Sequence, residues 1–415
     1  MGDERIGMLE VAALLVSASY GIGFLFGSGE LAMSRGMAGA LYPWLTGIGM
    51  LLLAMVAGRV WQLGVPIWEL FGRRYGPAVK RCVAGLSVIW MTGVLAAQIR
   101  GASTSLTLAG IPRHLAMPIV MVAIGIAAHL RLGLASKVFS ICLFASSIVL
   151  VCAVVSLGGT EVYLHAVPRF VSDVQIVSGP EFVTMAIAIV FLVVTGADYQ
   201  QFVISAKRRS DAVAGCALAA FVLIVVGALP AAAVIAARDA GVLTHQTAAR
   251  EAIPFVLSHV SGKAGHGAGA AMLVALLAAA LGSGAAVVRA MTGAALAFTR
   301  APERQAGVTA TLAIVALGAL VADRGQGIVS TMIDLNIVYI ASIVPLFGLL
   351  LLRIDVPAAV AQRATLAGSL TSGALYLTKW SDLVEGQVEL AFLAIGVLAS
   401  VAVLIAHWCR VPRTT

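Results

Sequence analysis

The chain is short of charge. Only 11% of its 415 residues are Asp, Glu, Lys or Arg, and just 19 are acidic. A soluble domain of that length needs more charged surface than this, which excludes an ordinary water-soluble protein. Cysteine is also scarce. The five present, Cys82, Cys142, Cys152, Cys216 and Cys409, fall in or beside apolar runs at no metal-ligand spacing, and read as small core residues rather than disulfides or a zinc site. Seven scattered histidines give no metal constellation. There is no His/Glu metal motif, no G-x-S-x-G elbow and no carboxylate pair at helical spacing within an apolar run, so an intramembrane enzyme has no catalytic set. A basic n-region is missing as well. Asp3 and Glu4 precede the first apolar run and Glu10 interrupts it, so a cleaved signal peptide is not expected.

What the chain has in excess is apolar length. It is 60% hydrophobic, with a mean hydropathy of +1.01, the composition of a polytopic membrane protein. The hydrophobic pattern predicts about twelve spans, near 7–32, 38–58, 77–108, 115–131, 136–157, 180–203, 211–238, 267–298, 305–322, 328–352, 358–377 and 387–408. With the N-terminus inside, seventeen of the 27 Lys and Arg residues fall on the cytoplasmic side, as the positive-inside bias requires. Both termini are then expected in the cytoplasm of a cell that carries the chain in its inner membrane. This bias accounts for the net charge of +8, leaving no call for a nucleic-acid partner. No obligatory protein partner is evident either.

Two spans break their own pattern. Span one runs Ser19-Tyr20-Gly21-Ile22-Gly23-Phe24-Leu25-Phe26-Gly27-Ser28-Gly29-Glu30, and span six contains Val194-Thr195-Gly196-Ala197-Asp198-Tyr199-Gln200-Gln201. Glycine is costly within a helix, and a carboxylate at membrane depth is costlier still. Non-helical backbone is tolerated there only where it lines a cavity or packs against protein. Five spans separate the two interruptions, so the broken helices enter from opposite sides of the membrane. That is the pattern of an inverted repeat of five helices, in which broken spans bind solutes and ions. The bland alternative is packing glycines in a generic bundle.

In this order the residues resemble the sodium/solute symporter family, a LeuT-type branch of the amino acid-polyamine-organocation superfamily. The resemblance is carried by Ser19 to Gly27, by Pro66-Ile67-Trp68-Glu69 through Arg73-Arg74-Tyr75-Gly76, and by Ala97-Gln98-Ile99-Arg100-Gly101-Ala102. It continues through Gln201 to Lys207, with Phe202 where Arg is usual, then Ala278 to Ser283 and Pro345 to Arg353. It implies an all-α membrane fold, a 5+5 inverted-repeat bundle plus two C-terminal accessory helices. The expected divisions are 1–157 for the first repeat, 158–179 for an extracellular connector, 180–352 for the second repeat, and 353–415 for the accessory helices and a cytoplasmic tail.

The two breaks and the amides beside them make a candidate central solute site of Gly21, Ile22, Gly23, Phe24, Gln98, Thr195, Gly196, Asp198, Tyr199 and Gln201, with packing as the alternative for the aromatics and amides. The resemblance implies a sodium site at Ser17, Tyr20, Ala279, Gly282 and Ser283. Two family features are missing there: Gly282 offers no hydroxyl, and Ser140-Ile141 stands where the family often carries a Thr-Asp pair. The coupling ion, Na+ or H+, therefore stays open. Three charges are candidates for coupling. Glu30 lies towards the outer end of span one, either lining a vestibule or capping the interruption. Asp198 could meet a cationic solute, carry a proton or pair with Arg289. Arg289 either supplies a fixed positive charge near the ion site or snorkels to the cytoplasmic interface. Asp334, at the start of span ten, reads as solvated or functional. The expected function is secondary active transport of a small polar solute by alternating access. The alternative is a transporter-fold sensor without net flux, which would need a separate signalling partner.

Overall fold

The computed structural model describes residues 5–410 apart from 245–247, 265, 299–302, 324–327, 382 and 385. The first span is divided into α1 (Met8–Ser19) and α2 (Ile22–Arg35), followed by α3 (Leu41–Leu63) and a short connector, α4 (Ile67–Tyr75). Three helices complete the first half: α5 (Pro77–Leu108), α6 (Arg113–Ala128) and α7 (Leu132–Ser156). A helical connector, α8 (Thr160–Leu164) and α9 (Ala166–Asp173), leads to the second broken span, α10 (Gly179–Thr195) and α11 (Ala197–Ile204). Then come α12 (Arg209–Gly227), α13 (Leu229–Asp239), α14 (Ala252–Ala264), α15 (His266–Ala295), α16 (Glu303–Ala322) and α17 (Ile328–Leu351). Two last helices, α18 (Ala358–Trp380) and α19 (Glu389–Arg410), pack on each other and on α17.

Among the described residues, eight stretches are long and apolar enough to cross a membrane by length and composition. Helix α2 enters that count joined to α3 as Ile22–Leu63, while α1, α6 and the apolar part of α16 are shorter apolar helices. No strand forms among the described residues, only an isolated bridge between Ile6 and Ala206.

Both interruptions are local consequences of glycine. Helix α1 ends at Tyr20 and α2 starts from Gly21, whose backbone is extended (φ −93°, ψ −177°). Gly196 (φ −66°, ψ 125°) serves as the last cap of α10 and the first of α11. A further offset divides span seven at Ala228, where Pro230 opens α13, since proline is tolerated in a first helical turn but not in an interior one.

The ends of the bundle are tied in pairs. On the face holding the N-terminus, Ile6 N donates to Ser205 O (3.0 Å) and Lys207 N to Ile6 O (2.8 Å). Arg5 reaches Ile204 O (3.1 Å), and Trp61 Nε1 reaches Ala206 O (2.9 Å). On the opposite face Arg35 pairs with Glu181, Met37 N donates to Asp173 (2.7 Å) and Arg238 to Met33 O (3.1 Å). The stretch from Glu69 to Arg81, whose four basic residues around Pro77 read from the sequence as a cytoplasmic loop facing anionic lipid, folds as α4 and the first turn of α5. Lys80 pairs there with Glu69, and Arg74 with Asp355.

The outer faces read as lipid contact. Helix α7 exposes Ile141, Phe144, Ile148, Val151 and Val155, spaced at i, i+3, i+7, i+10 and i+14 along one stripe. Ile141 is 71% exposed on that stripe. An acid at that position would point away from α1 and α15, so Ser140-Ile141 is not where this bundle could hold an ion-site charge.

Candidate functional site

The two interruptions are fully buried and each is held by side chains from outside its own span. Ile22 N, left without a helical partner by the break, donates to Gln98 Oε1 of α5 at 2.8 Å. Ala18 O accepts from Ser283 Oγ of α15 at 2.7 Å. Gly21 lies between these two clamps. A Cβ there would stand 2.5 Å from Gln98 Oε1 and 2.6 Å from Ser283 Cβ, so only glycine lets the three segments meet. Gly23 is looser, with Gln98 Nε2, Ala97 and Met332 at van der Waals range. Phe24 packs tilted against Tyr20 at 5.2 Å and edge-to-face against Tyr42 of α3 at 6.1 Å.

At the second break, Thr195 O accepts from Tyr339 OH of α17 (2.9 Å) and Val194 O from Gln200 Nε2 (3.0 Å). Gln201 Nε2 reaches Ala286 O of α15 at 3.0 Å. Ser283 and Ala286 are three residues apart, so one turn of α15 grips both broken spans. Asp198 is 1% exposed, in the first turn of α11, where the free N–H groups and helix dipole favour a negative charge. Its Oδ1 and the Oε1 of Gln201 are buried without a hydrogen-bond partner among the described residues. Buried acceptors are rarely left so, and these two sit three residues apart on the same short helix. Tyr42, Tyr199 and Tyr339 lie within electrostatic reach of Asp198.

The residues named for sodium are brought together along the seam of α1 and α15. Ser17 Oγ faces Gly282 so closely that a Cβ at Gly282 would collide with it. Tyr20 and Ala279 are buried beside this seam. Ser283 is bonded directly to Ala18 O. A hard cation needs several oxygens around it, and the oxygens that meet at this seam are Ser17 Oγ, Ser283 Oγ and Ala18 O.

The charges named for coupling part company. Arg289 Nε donates to Ala128 O at 3.1 Å, and its Nη2 donates to Leu130 O. The guanidinium thus caps the C-terminus of α6, an arrangement that the helix dipole favours. Glu30 is partly buried on α2, next to Gly29, which packs on Ile253 of α14. Asp334 is not solvated. It is 2% exposed and takes Lys379 Nζ at 2.9 Å, which also reaches Glu389 at 2.7 Å. Sequence reasoning missed Tyr339 and Tyr42. Asp334, Asn336 and Tyr339 interrupt an otherwise apolar span, a signal of the same kind as the one read in spans one and six.

Set against solved structures, the chain superimposes on a Na+-coupled sialic acid symporter in a substrate-bound, outward-open state. The TM-score is 0.75 at 11% identity, over 99% of this chain and 92% of that one. The chain has the LeuT fold. MhsT in complex with L-phenylalanine matches at TM-score 0.66 and 16% identity over 98% of this chain and 99% of that one. Mhp1, a nucleobase-cation-symport-1 family transporter in a closed conformation, matches at 0.61 and 14%, over 98% and 93%. No protein-family model and no curated relative matches the chain. The likeness of these solved structures extends over nearly the whole chain and shows the fold.

Proposed function

We propose that this LeuT-fold protein is a secondary transporter of a small polar solute that presents hydrogen-bond donors to the second break. The observation that carries this reading is the pair of buried acceptors, Asp198 Oδ1 and Gln201 Oε1, without donors at a discontinuity of a membrane helix. A charged side chain kept at such depth has a partner to meet, and discontinuous helices meeting near mid-membrane are where transporters of this architecture hold their cargo. In this reading Asp198 is the charge neutralised during the cycle, by a cationic group of the solute or by a proton. The direct Ser283–Ala18 bond (2.7 Å) supports a cycle that does not depend on sodium between α1 and α15. The protein performs no covalent chemistry. It sits in the inner membrane with both termini cytoplasmic, so that the face holding Arg35 and Glu181 is the outer one.

The test is uptake from a mixed small-metabolite pool into proteoliposomes, with sodium and proton gradients imposed separately. Accumulation is expected without sodium, and Asp198→Asn is expected to lower it at least tenfold, about 1.4 kcal/mol. Accumulation driven only by sodium would overturn the ion assignment. Ligand binding without flux under any gradient would overturn transport in favour of a sensor.

A further inference from the structure

The connector formed by α8 and α9 presents three faces where a helix on a water-bathed surface has two. Hydrogen bonds run through the junction of the two helices: His165 N donates to Glu161 O (3.0 Å) and Arg169 N to His165 O (3.1 Å). The pair therefore keeps a common phase at 3.6 residues per turn. One face, with Val162 and Ala166, is buried against the bundle. A second carries Glu161, His165, Arg169 and Ser172, all exposed. The third carries Leu164, Val167 and Val171 at i, i+3 and i+7, each more than half exposed.

An apolar stripe turned away from the protein costs free energy in proportion to its area in water, and its surroundings name what covers it. The connector joins α7 to α10, two membrane spans, so it lies at the level of the membrane surface on the face that holds Arg35 and Glu181. The lipid-facing stripe of α7 runs up to Val155, and Leu164 continues it nine residues on. Aromatic residues gather at this level. Trp44 packs on Phe170 with ring centroids 4.5 Å apart. Its Nε1 donates to Ile224 O (3.1 Å), and Tyr163 OH donates to Val225 O (2.8 Å). Tryptophan and tyrosine are enriched where acyl chains meet head groups, and a helix apolar on one side and charged on the other lies in that plane.

The far end of the connector is fixed to the first broken span. Asp173, the last residue of α9, accepts from Met37 N (2.7 Å). Gly36 turns beside it at a positive φ (57°), and a Cβ there would collide with Asp173 Oδ2. The turn that ends α2 is thus gripped by α9. We propose that α8 and α9 are an interfacial anchor whose partner is the phospholipid leaflet. Leu164, Val167 and Val171 lie among acyl chains, Glu161, His165, Arg169 and Ser172 lie among head groups and water, and Asp173 holds the end of α2 to that surface. The assignment does not depend on what the protein carries, or on whether it carries anything.

The experiment uses the full chain, freed of its native cysteines, in nanodiscs of mixed phosphatidylcholine and phosphatidylglycerol. Single nitroxide labels are placed through Val167→Cys, Val171→Cys, His165→Cys and Ser172→Cys. Each label's collision rate with oxygen, which concentrates in acyl chains, is divided by its rate with a water-soluble nickel chelate. The ratio is expected to be several-fold higher at Val167 and Val171 than at His165 and Ser172. Equal ratios at all four positions would place the connector in water and overturn the anchor. Leu164→Cys stands in for either apolar position if a label there lowers the thermal unfolding midpoint. The grip on α2 is read from a label at Ser34→Cys, an exposed position on the last turn of α2. Adding Asp173→Ala should raise that label's mobility several-fold while the Val167 ratio stays where it was. Unchanged mobility at Ser34 would overturn the grip, and a Val167 ratio that falls with Asp173→Ala would show that Asp173, not lipid, sets the connector's place.

Discussion

At the scale of single residues, the centre of this protein is held by few bonds of high consequence. Ser283 Oγ satisfies a backbone carbonyl that the first break leaves without a helical donor, and water is absent at that depth to replace it. Hydrogen bonds between membrane helices are worth about 0.6–2 kcal/mol each. Ser283→Ala should therefore lower the midpoint of thermal unfolding in detergent by a few degrees. If sodium is not the ion at this seam, the same variant should keep its response to sodium unchanged; a sodium dependence lost on removing the hydroxyl would identify Ser283 as an ion ligand after all. Gly21 makes the opposite demand, for the absence of atoms. Gly21→Ala pushes a methyl into Gln98 and Ser283 together, and overpacking of this kind costs about 1–3 kcal/mol. Uptake should be lost with the fold still intact. Gly373→Ala is the matched control, because nothing lies within 4 Å of a Cβ there and a helical alanine is preferred to glycine. Its uptake and unfolding midpoint should match or exceed those of the parent.

At the scale of elements, α17, α18 and α19 are joined by charge as well as by apolar packing. Lys379 of α18 bridges Asp334 of α17 and Glu389 of α19, and Trp380 Nε1 approaches Asp334 at 3.4 Å. Removing one member of a buried ionic set leaves an uncompensated charge, at a cost of about 3–5 kcal/mol. Lys379→Met should accordingly destabilise the protein strongly in thermal unfolding. Adding Asp334→Asn to it should restore more than half of the loss, because the stranded charge goes with it. Equal, additive losses would mean that Asp334 gains nothing from Lys379. This bridge also marks how far the sequence could be read. The spans were legible because runs of about 20 apolar residues admit few other structures; α5 begins at Pro77 and ends at Leu108 where the pattern placed it. The breaks were legible because glycine and carboxylate are conspicuous in apolar surroundings. Helices α4, α8, α9 and α14 were not, being short, polar on one side and fixed by packing rather than by hydropathy. Nor was the buried state of Asp334, since its partner lies 45 residues away and only the fold brings them together. The carbonyl of Ala286, which holds Gln201, carries no side-chain signal at all.

At the scale of the whole molecule, the two ends of the bundle are unequal. A cavity of about 1280 Å³ opens on the face beyond α5 and α6, while the pocket at the N-terminal face, beside Gln200 and Leu350, holds about 10 Å³. That closed face is tied by the pairing of Ile6 with Ser205 and Lys207, next to the end of α11. In the proposed transport cycle this tie has to be released, because α11 cannot swing away from α1, α3 and α15 while the N-terminal segment pins its end. The tie is made by backbone bonds of one short segment, so its contribution is a few kcal/mol at most, within the range that shifts a two-state population from one side to the other. Deleting residues 1–6 should therefore favour the conformation open at the N-terminal face. In a background without the five native cysteines, Leu350→Cys reports on that face. Its rate of modification by a membrane-impermeant thiol reagent, applied from the N-terminal side, should rise several-fold on truncation. A reporter at Thr104→Cys in the opposite cavity should slow in step. The paired, opposite changes are what separate a shift between two rigid states from local fraying, which would speed the first reporter and leave the second where it was.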